Sequence, residues 1–293
     1  MRYTILYPAD FFNIKAVDPD YEYEYREAIK FPEFQILFYD YDTFTAGGKL
    51  NLYPTHPEGG LCIYRGWMLQ SDKYQELYAS LQEQGLTLIN TPAEYESCHE
   101  FPNSYPLIKG YTPKTKFFKA DEKINWDDIK SAFRRFMIKD YVKSVKGMDF
   151  PAFFDDSYSS DEMDRFVARF IEMRGNLFVK GIVLKEYVVL KQNAGVTNEY
   201  RAFFLDGKRL SLSKNSNQQT GNTVPEQLVN NLPRLKSRFY TVDFAELENG
   251  EWIVIETGDG QVSGLSPGQY VFKYYEELLE LLQERFQERN DEK

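Results

Sequence analysis

The sequence predicts an α+β protein with an α/β-like N-terminal lobe, assembled from two or three coupled subdomains. Three observations point there. A strand, helix, strand order fills roughly the first 90 residues, hairpin patterns dominate after residue 180, and amphipathic helices stand between and after them. A chain of 293 residues also exceeds the ~100 to 200 of one average domain.

The opening TILYP reads as a strand, and FQILFYDYDTF and GLCIYRGWML add two more apolar runs separated by turn-rich sequence. Ser71 is placed to cap a helix through DKYQELYASLQEQ, with Tyr74, Leu77, Tyr78 and Leu81 on one face; Gly85 ends it and LTLIN resumes an extended pattern. Pro92, Pro102, Pro106 and Pro113, interspersed with aromatics and with Lys109, Lys114, Lys116 and Lys119, read as a connector with anchors. Asn125 precedes WDDIKSAFRRFM, with Asp128 three positions on, so a helix starts there and buries Ile129, Phe133 and Phe136.

MIKDYVKSVKG combines a short alternating pattern with three lysines, as expected of polar groups lining a cleft beside a sheet. Ser160 is placed to cap DEMDRFVARFIEMRG, whose Met163, Phe166, Val167, Phe170 and Met173 make a core-facing stripe. GIVLKEYVVL is the strongest central strand, KQNAGVTN a surface loop, and EYRAFFLDGKRLSL a hairpin turned at Asp206 and Gly207. KNSNQQTGNT is either a loop over a cleft or a solvated excursion. Pro267 starts a closing helix in which Val271, Tyr275, Leu278, Leu282 and Phe286 recur at three or four. The expected division is 1–95, 96–188 and 189–293.

Thirty-five Lys plus Arg stand against 45 Asp plus Glu, a formal charge of −10, with 42% hydrophobic and 27% charged residues. That balance excludes wholesale disorder and a collagen-like fibre and argues against a nonspecific nucleic-acid coat, although a local basic groove is compatible with it. No apolar run reaches the ~18 residues of a membrane span, and MRYTILYPADFF lacks the basic and apolar regions of an export signal, so a cytoplasmic protein without a membrane partner is expected. Cys62 and Cys98 form no disulfide framework or Cys-x-x-Cys knuckle, which fits a reducing compartment, and His56 and His99 are isolated.

The most informative stretch is FYTVDFAELENGEWIVIETGDGQVSGL. If Asn249 and Gly250 form a two-residue hairpin turn, Glu248 faces Glu251 and Asp243 faces Glu256. Opposed side chains have Cβ atoms about 4.5 to 5.5 Å apart, and like charges there destabilise a sheet unless neutralised. A magnesium ion, which prefers carboxylate, water and phosphate oxygens, resolves the conflict; an exposed acidic ladder at a sheet edge is the alternative. Asp259 and Gln261 are placed to add an oxygen ligand or hold a metal-bound water. Neither G-x-G-x-x-G nor a P-loop occurs.

Among cations, Lys139 closes an apolar run and is placed to meet a phosphate, with Lys143 or Lys146 as the alternative ligand. Lys185 and Glu186 interrupt an apolar strand and need an edge, a cleft or a partner; an adenine or ribose contact would supply one. Arg201 interrupts EYRAFFL and suits bidentate phosphate or carboxylate recognition, or a structural pair with Glu199 or Glu186. Arg65, Arg174 and Arg238 are secondary anion-binding or salt-bridging candidates.

The order MIKDYVKS, LKEYVVL, EYRAFFLDGK and VDFAELENGEWIVIETGDGQVSGL resembles the ATP-grasp superfamily over approximately residues 96 to 285. It is most similar to a bacterial and phage-associated subgroup whose active site emphasises one lysine and two arginines, and YRGWM looks like that subgroup's N-terminal region. The resemblance implies ATP between two α+β subdomains, with Lys139 near the α/β phosphates, Glu186 at the hinge by the nucleoside, and Arg201 facing phosphate or an acyl phosphate. Asp243 and Glu256 match the two acidic metal-ligand positions.

The common E-x-N spacing is Glu256-Thr257-Gly258 here, with Asp259 as the compensating ligand, and the early nucleotide lysine is matched only loosely by Lys116 or Lys119. The implied activity is ATP- and Mg-dependent ligation, in which a carboxylate becomes an acyl phosphate and an amine or thiol acceptor, a peptide or protein among the options, attacks it. Lys139 and Arg201 would be its catalytic residues. Two alternatives stay open: a nucleic-acid ligase or modifier using Lys139, Lys143, Lys146 and Arg174, and a nucleotide-binding interaction or immunity protein without turnover.

Overall fold

In a computed structural model, which describes residues 2–145, 147 and 149–291 with side chains up to residue 285, the opening run forms β1 (Tyr3–Asp10), and β2 (Asn13–Val17) returns against its end. There follow α1 (Glu22–Ala28), β3 (Phe34–Tyr39), α2 (Tyr41–Thr45), β4 (Leu52–Tyr53), β5 (Gly60–Tyr64), α3 (Ser71–Gln82) and β6 (Leu86–Leu88). Their sheet runs β4-β3-β1-β5-β6, with β1, β3, β5 and β6 parallel. Parallel strands are covered on both faces. Accordingly Ile5 and Tyr7 pack with Ala28 of α1, while Leu6 packs with Tyr74, Leu77 and Leu81 of α3. The order reverses between β1 and β5, the place where an open parallel sheet leaves a crevice at the carboxyl ends of its strands.

The proline-rich connector is instead two helices, α4 (Pro92–His99) and α5 (Phe101–Ile108). Pro92 and Pro102 sit in first turns, where a missing N–H costs nothing, and Thr91 with Glu94 forms a capping box. Other helix starts also moved. Ser71 lies inside α3 and its hydroxyl donates to Glu100.

The second sheet comprises β7 (Thr115–Lys119), β8 (Phe136–Asp140) and β9 (Gly181–Glu186), ordered β7-β9-β8 and antiparallel, with α6 (Trp126–Ala132) and α7 (Ser160–Arg174) inserted. Asn125 caps α6 as expected, but Phe136 opens β8 rather than extending the helix, and Ser159 rather than Ser160 caps α7. Trp126, Phe136, Phe154, Met163, Phe170 and Leu184 form this unit's core.

A small hairpin, β10 (Gln192–Asn193) and β11 (Val196–Thr197), replaces the expected plain loop. The third sheet is β13-β12-β14-β15, from β12 (Glu199–Leu205), β13 (Lys208–Lys214), β14 (Phe239–Glu246) and β15 (Trp252–Asp259), with α8 (Glu226–Asn231) between β13 and β14. Asp206 and Gly207 both take positive φ and turn the first hairpin. The following polar stretch folds back, where the buried Gln218 amide donates to the Glu199 carbonyl.

The last helix, α9 (Val271–Asp291), starts at Val271 rather than Pro267, and the Phe286 side chain lies outside the described residues. Tyr274 and Leu278 of α9 share one core with Phe203 and Phe239 of the third sheet and Tyr3 and Ile5 of the first. The opposite face of the third sheet, Ala202, Phe204, Val242 and Phe244, packs on α4, α5 and α8. Among the described residues no helix is long and apolar enough to cross a membrane.

Candidate active site

The late hairpin brings Asp243 opposite Glu256, and Arg201 of β12 lies opposite Asp243 on its other side. The route to that register differs from the expected one. Leu247 N–H donates to Glu251 O and Gly250 N–H to Leu247 O, so the turn holds three residues, with Gly250 at φ +87°. Phe244 then pairs with Val254, and a bulge at Ile255 restores the alignment of Asp243 with Glu256. Without the bulge, alternation would set Ile255 opposite Asp243 and turn Glu256 toward the apolar face.

Protein cations resolve the like-charge conflict in place. The Arg201 fork donates to both Asp243 oxygens, at 2.8 and 2.6 Å, and Lys139 Nζ lies 3.2 Å from Glu256 Oε1. Asn215 Nδ2 approaches Asp243 at 3.5 Å. Burial pushes the Glu256 carboxyl up, but Lys139, Lys143 and Arg201 outweigh it and bring it down to about 2. Burial raises the Asp243 carboxyl, and Arg201 offsets part of that.

This cluster is the wall between two cavities. A cleft of 860 Å³ is lined on one side by Lys139, Lys143, Lys185 and Glu186, and on the other by Arg201, Asp243 and Glu256. A smaller pocket of 240 Å³ shares Lys143, Arg201, Asp243 and Glu256 with it and reaches Tyr21, Trp67 and Met68 at the crevice of the first sheet. Six of the seven expected site residues therefore converge.

Asp259 does not join them. It stands an odd number of residues from Glu256, so alternation turns it to the other face, where it is fully buried and accepts from Asn90, Gln261 and Cys98. Gln261 is buried beside it and donates to Tyr74. Arg65 is buried and structural, bidentate to Glu24 and donating to the carbonyls of Gly260 and Ser263. Arg174 lines the cleft but is held by Asp140, and Arg238 pairs with Asp206. Neither Lys116 nor Lys119 lines the cleft, and Lys146 lies outside the described residues.

Residues 125–278 match the family model described as ATP-grasp domain, R2K clade family 3. The chain belongs to that family. Among solved structures it is similar to D-alanine–D-alanine ligase from Bacillus anthracis complexed with ATP, at 14% identity and TM-score 0.57, covering 98% of this chain and 99% of that one. It is also similar to the D-alanine–D-alanine ligase of Coxiella burnetii, at 10% identity and TM-score 0.61 over 99% and 96% of the two chains. A macrocyclase bound with a precursor peptide, from Microcystis aeruginosa MRC, follows at 10% identity and TM-score 0.60 over 95% and 99%. These likenesses show an ATP-grasp fold. A comparison with curated proteins returns no match.

Within the ATP-grasp fold, the position where the common spacing has asparagine is Gly258, and an added Cβ there would meet Ser263 Oγ and Thr241 Oγ1, each at 3.0 Å. Those two hydroxyls bond each other at 2.8 Å and occupy the space an asparagine would need. Sequence reasoning left Asn215 and Glu199 out of the cleft lining and gave Lys185 no role of its own. Lys185 is buried, and its Nζ donates to the Ile255 carbonyl at 2.6 Å. Burial, then the Lys139 charge, lower it to about 7 against the pull of Glu256. A lysine inside an otherwise apolar strand was the available signal.

Proposed function

We propose that the protein is an ATP- and Mg-dependent ligase that activates a carboxylate as an acyl phosphate for attack by an amine or a thiol, built from working parts at 1–95, 96–188 and 189–293. The wall of Lys143, Arg201, Asp243 and Glu256 between two cavities, with Lys139 on its larger side, is the observation that carries this reading. The larger cleft has the size and cationic lining for ATP, with Glu186 toward the nucleoside and Lys139 and Lys143 toward the phosphates. The carboxylate enters from the smaller pocket.

Two acidic oxygen donors on neighbouring strands, with Asn215 beside them, fit magnesium, which takes one or two carboxylates and fills its shell with water and phosphate oxygens. The ion would neutralise phosphate charge. A substrate carboxylate oxygen attacks the γ-phosphorus and the bond to ADP breaks; the acceptor's nitrogen or sulfur then adds to the acyl carbon, expels inorganic phosphate and loses its proton. Lys139 and Arg201, now held by Glu256 and Asp243, exchange those partners for transferring oxygens and stabilise the charge that develops there. No protein nucleophile is required.

Asp243→Asn and Glu256→Gln remove charge at nearly constant size. Each is expected to lower Mg-dependent ADP formation across a carboxylate and acceptor panel by about 100-fold or more, while circular dichroism stays native. Folded variants of both that keep wild-type turnover would sink the metal assignment, and unchanged ATP binding and turnover in Lys139→Ala and Arg201→Ala would sink the phosphate assignments. The glycine at position 258 favours a second reading, a nucleotide-binding interaction protein, to which Mg-dependent ATP binding without ADP formation would point. A nucleic-acid groove gains little, because Lys139 and Arg174 are engaged by Glu256 and Asp140.

A further inference from the structure

We propose that the carboxylate substrate is a monocarboxylate whose far end is uncharged and apolar, an aromatic ring or a branched chain, selected by Trp67, Met68 and Tyr21. This deepens the ligase reading and rests on it.

The 240 Å³ pocket lies between Tyr21, which follows β2, and residues 66–68, which leave β5 beside the point where the first sheet reverses its strand order. Its two ends differ in chemistry. At the shared wall stand the cations Arg201 and Lys143 beside the carboxylates Asp243 and Glu256, with Arg201 forked on Asp243. At the far end the rings of Tyr21 and Trp67 meet edge to face at 5.2 Å, with Met68 beside them. Trp67 and Met68 are 38% and 42% exposed, large apolar groups left uncovered at the mouth of a site. The remaining basic group of the lining, His99, is lowered to about 3 by burial and then by Lys143, against Glu256, and carries no charge at neutral pH.

A carboxylate head set against Arg201 and Lys143 is paired. The far-end lining residues Tyr21, Gly66, Trp67 and Met68 carry no charge, so a second carboxylate or an ammonium gains no ion pair from that wall and its polar group covers apolar surface without a partner. An aromatic ring or branched chain gains edge contacts with Tyr21 and Trp67 and the adaptable thioether of Met68.

The test uses the full chain and four probes, 3-phenylpropionate, 4-methylpentanoate, succinate and 6-aminohexanoate, followed by ligand-observed NMR with Mg-ADP present. Calorimetry of Mg-ADP alone reports the nucleotide site separately. The two apolar probes are expected to bind at least tenfold tighter than the charged-tail probes, and Trp67→Ala and the surface change Met68→Glu are each expected to weaken them about tenfold while Mg-ADP affinity stays constant. Succinate or 6-aminohexanoate matching the apolar probes, no probe binding while Mg-ADP does, or indifference to both substitutions would overturn the inference and leave the nucleotide reading standing. Failure of Mg-ADP itself to bind would overturn both.

Discussion

Asp259 is a buried carboxyl with hydrogen-bond donors around it and, among the described residues, no cation in contact. Burial raises it to about 6, with the bonds from Asn90 and Gln261 pulling the other way. Its folded pKa lies above the ordinary 3.8, so the native state binds more protons between about pH 4 and 6 and loses stability as pH rises through that window. Urea titrations should show wild type falling relative to Asp259→Asn by up to about 1.4 kcal/mol per pH unit there; parallel curves would mean the carboxyl is not raised. Parity along β15 separates this residue from Glu256, a sign legible in the sequence itself. The pairing of Asp243 with Glu256 was legible because hairpin counting needs only local numbers. The ion pairs of those acids with Arg201 and Lys139 required knowing which strands become neighbours.

At the level of elements, the hairpin was predicted with the right acid pair by two deviations that cancel: a turn one residue longer than Asn-Gly alone and a bulge that takes up the extra residue. The bulge frees the Ile255 carbonyl from the ladder, and Lys185 reaches across from β9 to satisfy it. Lys185 thus positions Glu256 through the backbone. Lys185→Met is expected to lower the rate of Mg-ATP turnover about tenfold while the affinity for ATP shifts much less; a change confined to affinity would place Lys185 on the nucleotide instead. The prolines of α4 and α5 misled for a related reason. Pro in a first turn and Pro in a connector look alike in sequence, and Thr91 with Glu94 was the distinguishing signal.

Over the whole molecule, the strand, helix, strand lobe and the late hairpins were visible as periodicity, whereas their joining was not. Arg65 shows why. Its partners, Glu24 and the carbonyls of residues 260, 261 and 263, are distant in sequence, so nothing local separated an anion binder from a structural bolt. Among the described residues, Arg65→Met leaves Glu24 buried with only the Tyr275 hydroxyl and should cost about 3 to 5 kcal/mol in denaturant unfolding, before any measured loss of nucleotide affinity. A cost below about 1 kcal/mol would show that Arg65 does not clamp the lobes.

The core that α9 shares with β1 and β12 has a bearing on ancestry and engineering. The beginning and the end of the chain form one packed block, whereas the middle sheet carries a core of its own. Exchanging the first lobe between relatives to transplant substrate preference should therefore yield stable chimeras only when the closing helix travels with it.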